Sequence, residues 1–386
     1  MRNIAFFCSV TSLNTGMPLC TLTLIEHFSA DPGYRVHVIF PEYGAMTEKL
    51  RNKNVALRKI SFEKLRSPDH FGSLLRFVFL YPGAMIRLWR YLRANKIDLV
   101  HFSDFIDFPF YPAGRLGAKR VVAHLRLNIE NAWLRRLYKA WCGICVDAVV
   151  CISRSVKRYS GLPDRAARVV YDPGPDVALF DPSRVHERDS RLRPGVLHIV
   201  AIAKFLNVKG HHHFIDIAHR IEQRCPGRAQ YIVTGGSEPG HEDYYRSCVE
   251  QIARSGLTDA FTILGIIPHE SIPALLANTD IFVHVPDYQE GLGGVILEAM
   301  SMEKPVVAFD SGGAGECFED GTSGFLVQQY DCAAAAEKIV RLIEDGPLRQ
   351  AVGKSAARHV AAHFSQQRHC AEIESVYNAL SRPWAC

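Results

Sequence analysis

The sequence predicts an α/β protein made of two doubly wound domains, each a parallel sheet covered on both faces, facing each other across a cleft. Three observations predict it. The 386 residues suit two domains at roughly 100–200 residues each. In both halves, short apolar runs alternate with longer stretches of helical spacing, the pattern of parallel strands joined by helices. The alternation breaks once, in the proline- and aspartate-rich stretch Asp172–Pro194, and then resumes.

In the first half, Ile4–Phe7, Val36–Phe40, Leu99–Phe102, Val121–His124 and Ala148–Ile152 read as buried strands. Leu19–Phe28 and Ile86–Leu92 read as helices between them. In the second half the strands are Leu197–Ala203, Tyr231–Thr234, Phe261–Leu264, Ile281–Val285, Pro305–Phe309 and Gly324–Val327. Phe214–Ile221, Gly294–Met302 and Ala333–Ile343 carry helical spacing. This gives an N-terminal domain over 1–177, a linker over 178–195 and a C-terminal domain over 196–365. A final helix over 366–386 is expected to pack back toward the first domain. Ligands of such sheets sit at the carboxyl ends of strands, so the cleft is the expected site.

Composition excludes several classes. Hydrophobic residues at 48% and charged residues at 22% suit a globular protein, not a disordered or fibrous one. The 11 cysteines are an odd number spread from Cys8 to Cys386, unlike a secreted disulfide framework. Cys142 and Cys145 form a C-x-x-C pair without the second pair a zinc site needs, so they read as small apolar residues of a buried helix. The uncharged stretch Asn3–Ile25 is broken by polar residues from Ser9 onward, which suits a first strand and loop better than a signal peptide. A reducing cytosol is the expected location. Charge divides unevenly: residues 1–180 carry 26 Lys and Arg against 14 Asp and Glu, and residues 181–386 carry 19 against 26. Different partners are expected for the two halves.

No G-x-G-x-x-G, no complete phosphate loop and no G-x-S-x-G elbow occurs. The conspicuous segment is Glu290-Gly291-Leu292-Gly293-Gly294-Val295-Ile296-Leu297-Glu298, between a strand and a helix. Glycines there let backbone N–H groups reach an anion, and a helix N-terminus favours negative charge, so a diphosphate fits. Glu298, about two turns into the helix, suits paired ribose hydroxyls. Lys204 and Lys209 flank a second loop after a strand, and taken alone such a pair reads as two solvated lysines. His211, His212 and His213 are consecutive, and on a helix consecutive side chains point about 100° apart, so no shared metal ion is expected.

The segment from Glu290 through Glu298, Lys304-Pro305-Val306-Val307-Ala308, Gly312-Gly313, Glu316 and Asp320–Phe325 resembles the retaining family-4 glycosyltransferases, which have the GT-B fold of two Rossmann-like domains. Glutamate, seven residues, glutamate is that family's signature. Weaker similarities fall at Thr15-Gly16, Asp98–His101, His124, Ser153, Gly174, Asp176 and Phe180. The family has arginine where this chain has Lys204, which keeps the charge and loses the bidentate fork.

The resemblance implies transfer of a sugar from a UDP- or GDP-sugar to an acceptor hydroxyl, with retention of configuration. It implies no cofactor and no metal, the donor being a substrate. Lys204, Lys209 and the amides of Leu292, Gly293 and Gly294 would hold the diphosphate. Glu290 would orient sugar hydroxyls, Glu298 would hold the ribose, and backbone near Ile267 would meet the base. Gly16 would let an N-terminal loop close on the phosphates, and His124 would stand near the reacting sugar. The acceptor is expected to be a glycan or lipid-linked molecule of envelope-polysaccharide assembly, and nucleic acid is not expected. An anionic membrane surface is a further expected partner. It is suggested by Gly83–Ala94, where Arg87, Arg90 and Arg93 oppose Met85, Leu88, Trp89 and Leu92 on a helix. A sugar-nucleotide epimerase or phosphorylase of the same fold, or a non-enzymatic binder of anionic surfaces, are the alternatives.

Overall fold

The computed structural model describes residues 1–13, 16–62, 71–185, 191–237 and 240–381. Thr15, named above, lies outside them. The described residues divide into two units, one formed by Met1–Asp172 with the chain from Gln366 onward, the other by Pro173–Ser365.

The first unit holds a parallel sheet of seven strands: β1 (Arg2–Phe7), β2 (Tyr34–Phe40), β3 (Val55–Lys59), β4 (Leu99–Phe102), β5 (Arg120–Leu125), β6 (Ala148–Cys151) and β7 (Ala167–Val169). Their order is β3-β2-β1-β4-β5-β6-β7. The second unit holds six parallel strands: β8 (Leu197–Ile202), β9 (Ala229–Thr234), β10 (Phe261–Ile263), β11 (Ile281–His284), β12 (Val306–Asp310) and β13 (Phe325–Gln328). Their order is β10-β9-β8-β11-β12-β13. Each sheet therefore reverses direction of growth once, between β1 and β4 and between β8 and β11. Loops at such a reversal diverge to opposite faces and leave a crevice at the carboxyl ends of the two strands.

The strands read most sharply from the sequence are those buried along their whole length. β4, β6 and β11 have no exposed residue at all, which is why they appear as continuous apolar runs. β3 and β7 went unread. They are the two edges of the first sheet; β3 reads Val-Ala-Leu-Arg-Lys with its last two residues exposed, and β7 has three residues. An edge strand needs no apolar run because one side meets solvent.

The unit boundary falls at Asp172–Pro173, ahead of the stretch 178–195 suggested as a linker. That stretch belongs to the second unit because Phe180 is buried, its ring 5.6 Å from that of His269. The helix Gln366–Ser381 belongs to the first unit. Cys370, Ile373 and Tyr377 sit in the same apolar cluster as Phe6, Phe28 and Val36. Tyr377 also holds His101 Nδ1 at 2.6 Å, and Tyr34 donates to Glu374 at 2.8 Å. The cysteines among the described residues are free thiols. Cys142 and Cys145 face inward from the helix Ala132–Cys145, and burial pushes the Cys142 thiol up to about 12, as suits packing residues.

The helix Phe71–Ala94 corrects the reading of Gly83–Ala94 in one respect. Leu88 and Leu92 are completely buried against the helix Tyr111–Gly117, where a side chain on Gly117 would lie 2.8 Å from Leu92 Cβ. Among the described side chains of Phe71–Ala94, the large apolar ones open to solvent are Phe79, Leu80, Ile86 and Trp89. Arg87, Arg90 and Arg93 are exposed, and Arg87 donates to the Ser61 carbonyl at 3.1 Å. Among the described residues no helix is long and apolar enough to cross a membrane.

Candidate functional site

The site assembles at the carboxyl ends of β8 and β11. After β8 the chain turns outward; Ala203 N–H donates to the Thr234 carbonyl and Phe205 N–H to that of Gly236. These bonds fix Lys204 with its side chain exposed. A short 3-10 turn, Asn207–Lys209, then leads through Gly210 into the helix His211–Arg224. Gly210 has φ +73°, and a Cβ there would stand 1.8 Å from the Val285 carbonyl oxygen. Only glycine permits that approach. It brings Lys209 against the loop that follows β11.

Lys209 Nζ donates to Tyr288 Oη at 2.6 Å and lies 3.8 Å from Glu290 Oε2. Tyr288 Oη donates to the same carboxylate oxygen, and His284 Nε2 stands 3.4 Å from it. Burial opposes ionisation of Glu290, yet His284, the Lys209 charge and the Tyr288 hydroxyl overcome it and hold the carboxyl down at about 2. Burial beside that anion pushes the Tyr288 hydroxyl far up, so it stays a donor. Glu290 is therefore a fixed anion within a cationic and hydroxylic cage.

The loop runs on through Leu292, whose side chain is buried, to Gly293 at φ +91° and the helix Gly294–Ser301. Gly313 packs so closely on it that a Cβ would meet the Gly291 oxygen at 2.1 Å, and Gly313 N–H donates to the Glu290 carbonyl at 2.8 Å. Gly294 is exposed, with nothing near its missing Cβ. A helix start with open space at its first amides is an anion site in form. On that helix Glu298 Oε1 meets His269 Nε2 at 3.0 Å. Ile267 packs its side chain on Val200, Ile232 and Leu275. The β10 exit is tied down by Gly235 N–H and Thr234 Oγ1, each donating to the Gly265 carbonyl at 2.8 Å.

Of the residues chosen from sequence, the structure brings Lys209 and Glu290 into one group and sets Leu292, Gly293 and Gly294 next to it along the chain. Glu298 is held apart by His269. Lys204 is exposed at the end of β8. Gly16 and His124 belong to the other unit. Gly16 opens the helix Gly16–Ala30, exposed and unobstructed. His124 is fully buried, its Nδ1 3.3 Å from His101 Nε2 and its Nε2 3.7 Å from Asp172 Oδ1. Burial, then the charge of Arg126, push its pKa well below the usual histidine value. It is a neutral imidazole with no side-chain surface open to solvent.

Sequence reasoning missed Tyr288, His284 and His269. Tyr288 precedes the signature glutamate by two residues and His284 ends a strand, but no spacing marks either as a partner of Glu290. The side chains of the histidine run do not all diverge as expected. His211 stacks on Phe205, but the rings of His212 and His213 lie 4.0 Å apart and both reach Asp287. The 100° separation holds for the Cα–Cβ directions, and long side chains at a helix start can bend back together.

Two units, each a parallel sheet that reverses its direction of growth once, have the pattern of the GT-B fold. Two family models match the chain, "Glycosyltransferase Family 4" over residues 15–173 and "Glycosyl transferases group 1" over residues 184–359. The chain belongs to this glycosyltransferase family. Among its relatives is the alpha-D-kanosaminyltransferase of Streptomyces kanamyceticus, 33% identical over 49% of this chain and 46% of that protein. A D-inositol 3-phosphate glycosyltransferase of Salinispora tropica is 31% identical over 74% of this chain and 66% of its own length. The lipopolysaccharide core biosynthesis mannosyltransferase LpcC of Rhizobium leguminosarum bv. viciae is 28% identical over 66% and 72%. The chain spans about half the length of the first curated relatives it matches. Among solved structures, Anabaena HepE in complex with UDP shares the fold at a TM-score of 0.80 and 22% identity, over 98% of this chain and 100% of that one.

Proposed function

We propose that this chain is a retaining glycosyltransferase that moves a sugar from a UDP- or GDP-sugar to an acceptor hydroxyl without a metal ion in the transfer step. The observation that carries the reading is the Lys209–Tyr288–Glu290 group beside the open helix start at Gly294. A lysine ammonium has three donors. Tyr288 takes one and Glu290 orients the charge, which leaves a donor for a phosphate oxygen. Departure of a nucleoside diphosphate builds negative charge. Lys209, Lys204 and the amides around Gly293 and Gly294 would stabilise it from fixed positions. Glu290, ionised throughout, would accept hydrogen bonds from sugar hydroxyls. Glu298 would exchange His269 for ribose hydroxyls, and backbone at Ile267 would meet the base. Gly16 and His124, in the other unit, would serve on the acceptor side. No protein nucleophile is assigned.

Anabaena HepE binds UDP and UDP-glucose, which favours uridine for the base. The relatives named for lipopolysaccharide core and capsular polysaccharide biosynthesis favour a glycan or lipid-linked acceptor of the cell envelope. An acceptor of that kind would be met at the inner face of a membrane. The surface that keeps Phe79, Leu80, Ile86 and Trp89 exposed beside Arg87, Arg90 and Arg93 suits a peripheral contact there.

The test is a thermal-shift screen of UDP- and GDP-sugars, followed by transfer assays in EDTA with the product anomer read by NMR. A binding donor raises the melting point because it binds only the native state. The expected product keeps the donor's configuration, and EDTA leaves transfer intact. Inversion, or activity lost in EDTA and restored by manganese or magnesium, would overturn the mechanism.

A further inference from the structure

The helix His211–Arg224 begins with two imidazoles turned toward one carboxylate on the loop after β11. His213 Nε2 stands 2.5 Å from Asp287 Oδ1 and His212 Nε2 stands 3.4 Å from Asp287 Oδ2. One ligand atom from each of the three residues can be chosen so that all lie within 4.8 Å of one another. A cation bound at about 2.0–2.2 Å by nitrogen and oxygen ligands fits among atoms so spaced, after a small adjustment of the rings. We propose that His212, His213 and Asp287 form a binding site for one divalent transition-metal cation of the zinc class, which clamps the start of this helix to the loop that carries Glu290.

The surroundings support metal binding beyond the three ligands. A metal-binding histidine has its second ring nitrogen held by a partner that fixes ring and tautomer. His212 Nδ1 lies 2.9 Å from Tyr244 Oη, which also accepts the His212 backbone N–H at 3.4 Å. With Nδ1 donating to that hydroxyl, Nε2 presents a lone pair to the Asp287 carboxylate. His213 Nδ1 lies 3.7 Å from Cys332 Sγ, and its ring is walled by Phe309 and Tyr330. Tyr330 Oη donates to the Asp287 carbonyl at 3.1 Å, and Gln251 donates to that of His212 at 3.1 Å. The backbones of Asp287 and His212 are thus pinned from outside. The side chains remain 37%, 17% and 26% accessible, so an ion enters from solvent and keeps water in its fourth position. The nitrogen-rich set of two imidazoles and one carboxylate suits zinc, cobalt or nickel over magnesium or calcium. His212 stands two residues beyond Gly210 and Asp287 three before Glu290. The ion therefore ties together the two segments that bring Lys209 and Glu290 into contact, without touching either.

Cobalt(II) is the probe, because its visible absorption reports coordination number. Titrating the full chain with Co²⁺ should give one saturable equivalent with the intense bands of a four-coordinate ion, displaced by Zn²⁺. Asp287→Asn and His213→Ala should abolish the bands and weaken Zn²⁺ binding, measured by calorimetry, at least tenfold. Tyr244→Phe should weaken it about 10–100-fold, the usual cost of losing an outer partner. His359→Ala should change nothing, although His359 and His363 form another histidine pair, 4.5 Å between rings. Melting without metal verifies that each variant is folded. Should His213→Ala fail to fold, the near-isosteric Asp287→Asn carries the test. No stoichiometric binding by the wild type, bands that survive Asp287→Asn, or bands lost on His359→Ala would each overturn the proposal.

Discussion

Lys209→Ala is the most informative perturbation, because the side chain has two separable duties. One is internal: it stands 3.8 Å from a carboxylate that is only 16% accessible, while Lys209 itself is 26% accessible. At an effective dielectric near 20 that separation is worth roughly 4 kcal/mol, an upper bound once solvent screening is counted. The other duty is toward the leaving diphosphate. Loss of one preorganised donor to a developing oxyanion costs about 2.7–4 kcal/mol, or roughly 100–1000-fold in kcat. A double substitution separates them. Lys209→Ala alone should lower both stability and turnover; adding Glu290→Gln should recover stability, since no buried anion is left unpaired, and should not recover turnover. Acid titration checks the internal duty. Glu290 falls from its ordinary 4.5 to about 2 in the folded protein. A depressed carboxyl stabilises above its unfolded value, and that contribution, roughly 3 kcal/mol by linkage, is lost as pH falls from 4.5 toward 2. In Lys209→Ala the folded value rises, so this acid-dependent loss should shrink. Chemical denaturation across that pH range and steady-state kinetics at neutral pH give both readouts. A single variant that turns over within about fivefold of wild type, roughly 1 kcal/mol in barrier, would refute the phosphate role.

The other predictions are narrower. Gly210→Ala should destabilise the second unit by roughly 2–4 kcal/mol in urea unfolding, because its Cβ would collide with the Val285 oxygen at a positive φ; a change below about 0.5 kcal/mol would contradict the close approach. Glu298→Gln should raise the donor KM roughly tenfold or more, with a smaller effect on kcat, as fits loss of charge-assisted hydrogen bonds to the ribose. An effect on kcat alone would place Glu298 in some other role. Anionic liposomes should sediment the protein at low salt, and changing Arg87, Arg90 and Arg93 to Glu should release it, each arginine being worth about 1 kcal/mol at such a surface. Binding that ignores these three charges would remove this helix from the membrane contact.

The sequence by itself determined the elements whose environment is uniform. Strands such as β4, β6 and β11 are buried on every residue, so one apolar run states both their existence and their length. It also marked the glycines between strand and helix, since φ +91° at Gly293 and the Gly210–Val285 approach demand that residue type. What it did not contain was partnership. β3 and β7 are strands because a neighbour supplies hydrogen bonds, whatever their own apolar content. The helix Gln366–Ser381 belongs to the first unit because Ile373 and Tyr377 find Phe28 and His101 across the full length of the chain. Tyr288, His284 and Lys209 become one cage around Glu290 only when β8 and β11 lie side by side. His212 and His213, consecutive on a helix and expected to diverge, converge because Asp287 offers both rings the same carboxylate. Contacts of this kind join residues far apart in the chain, and local spacing carries no record of them.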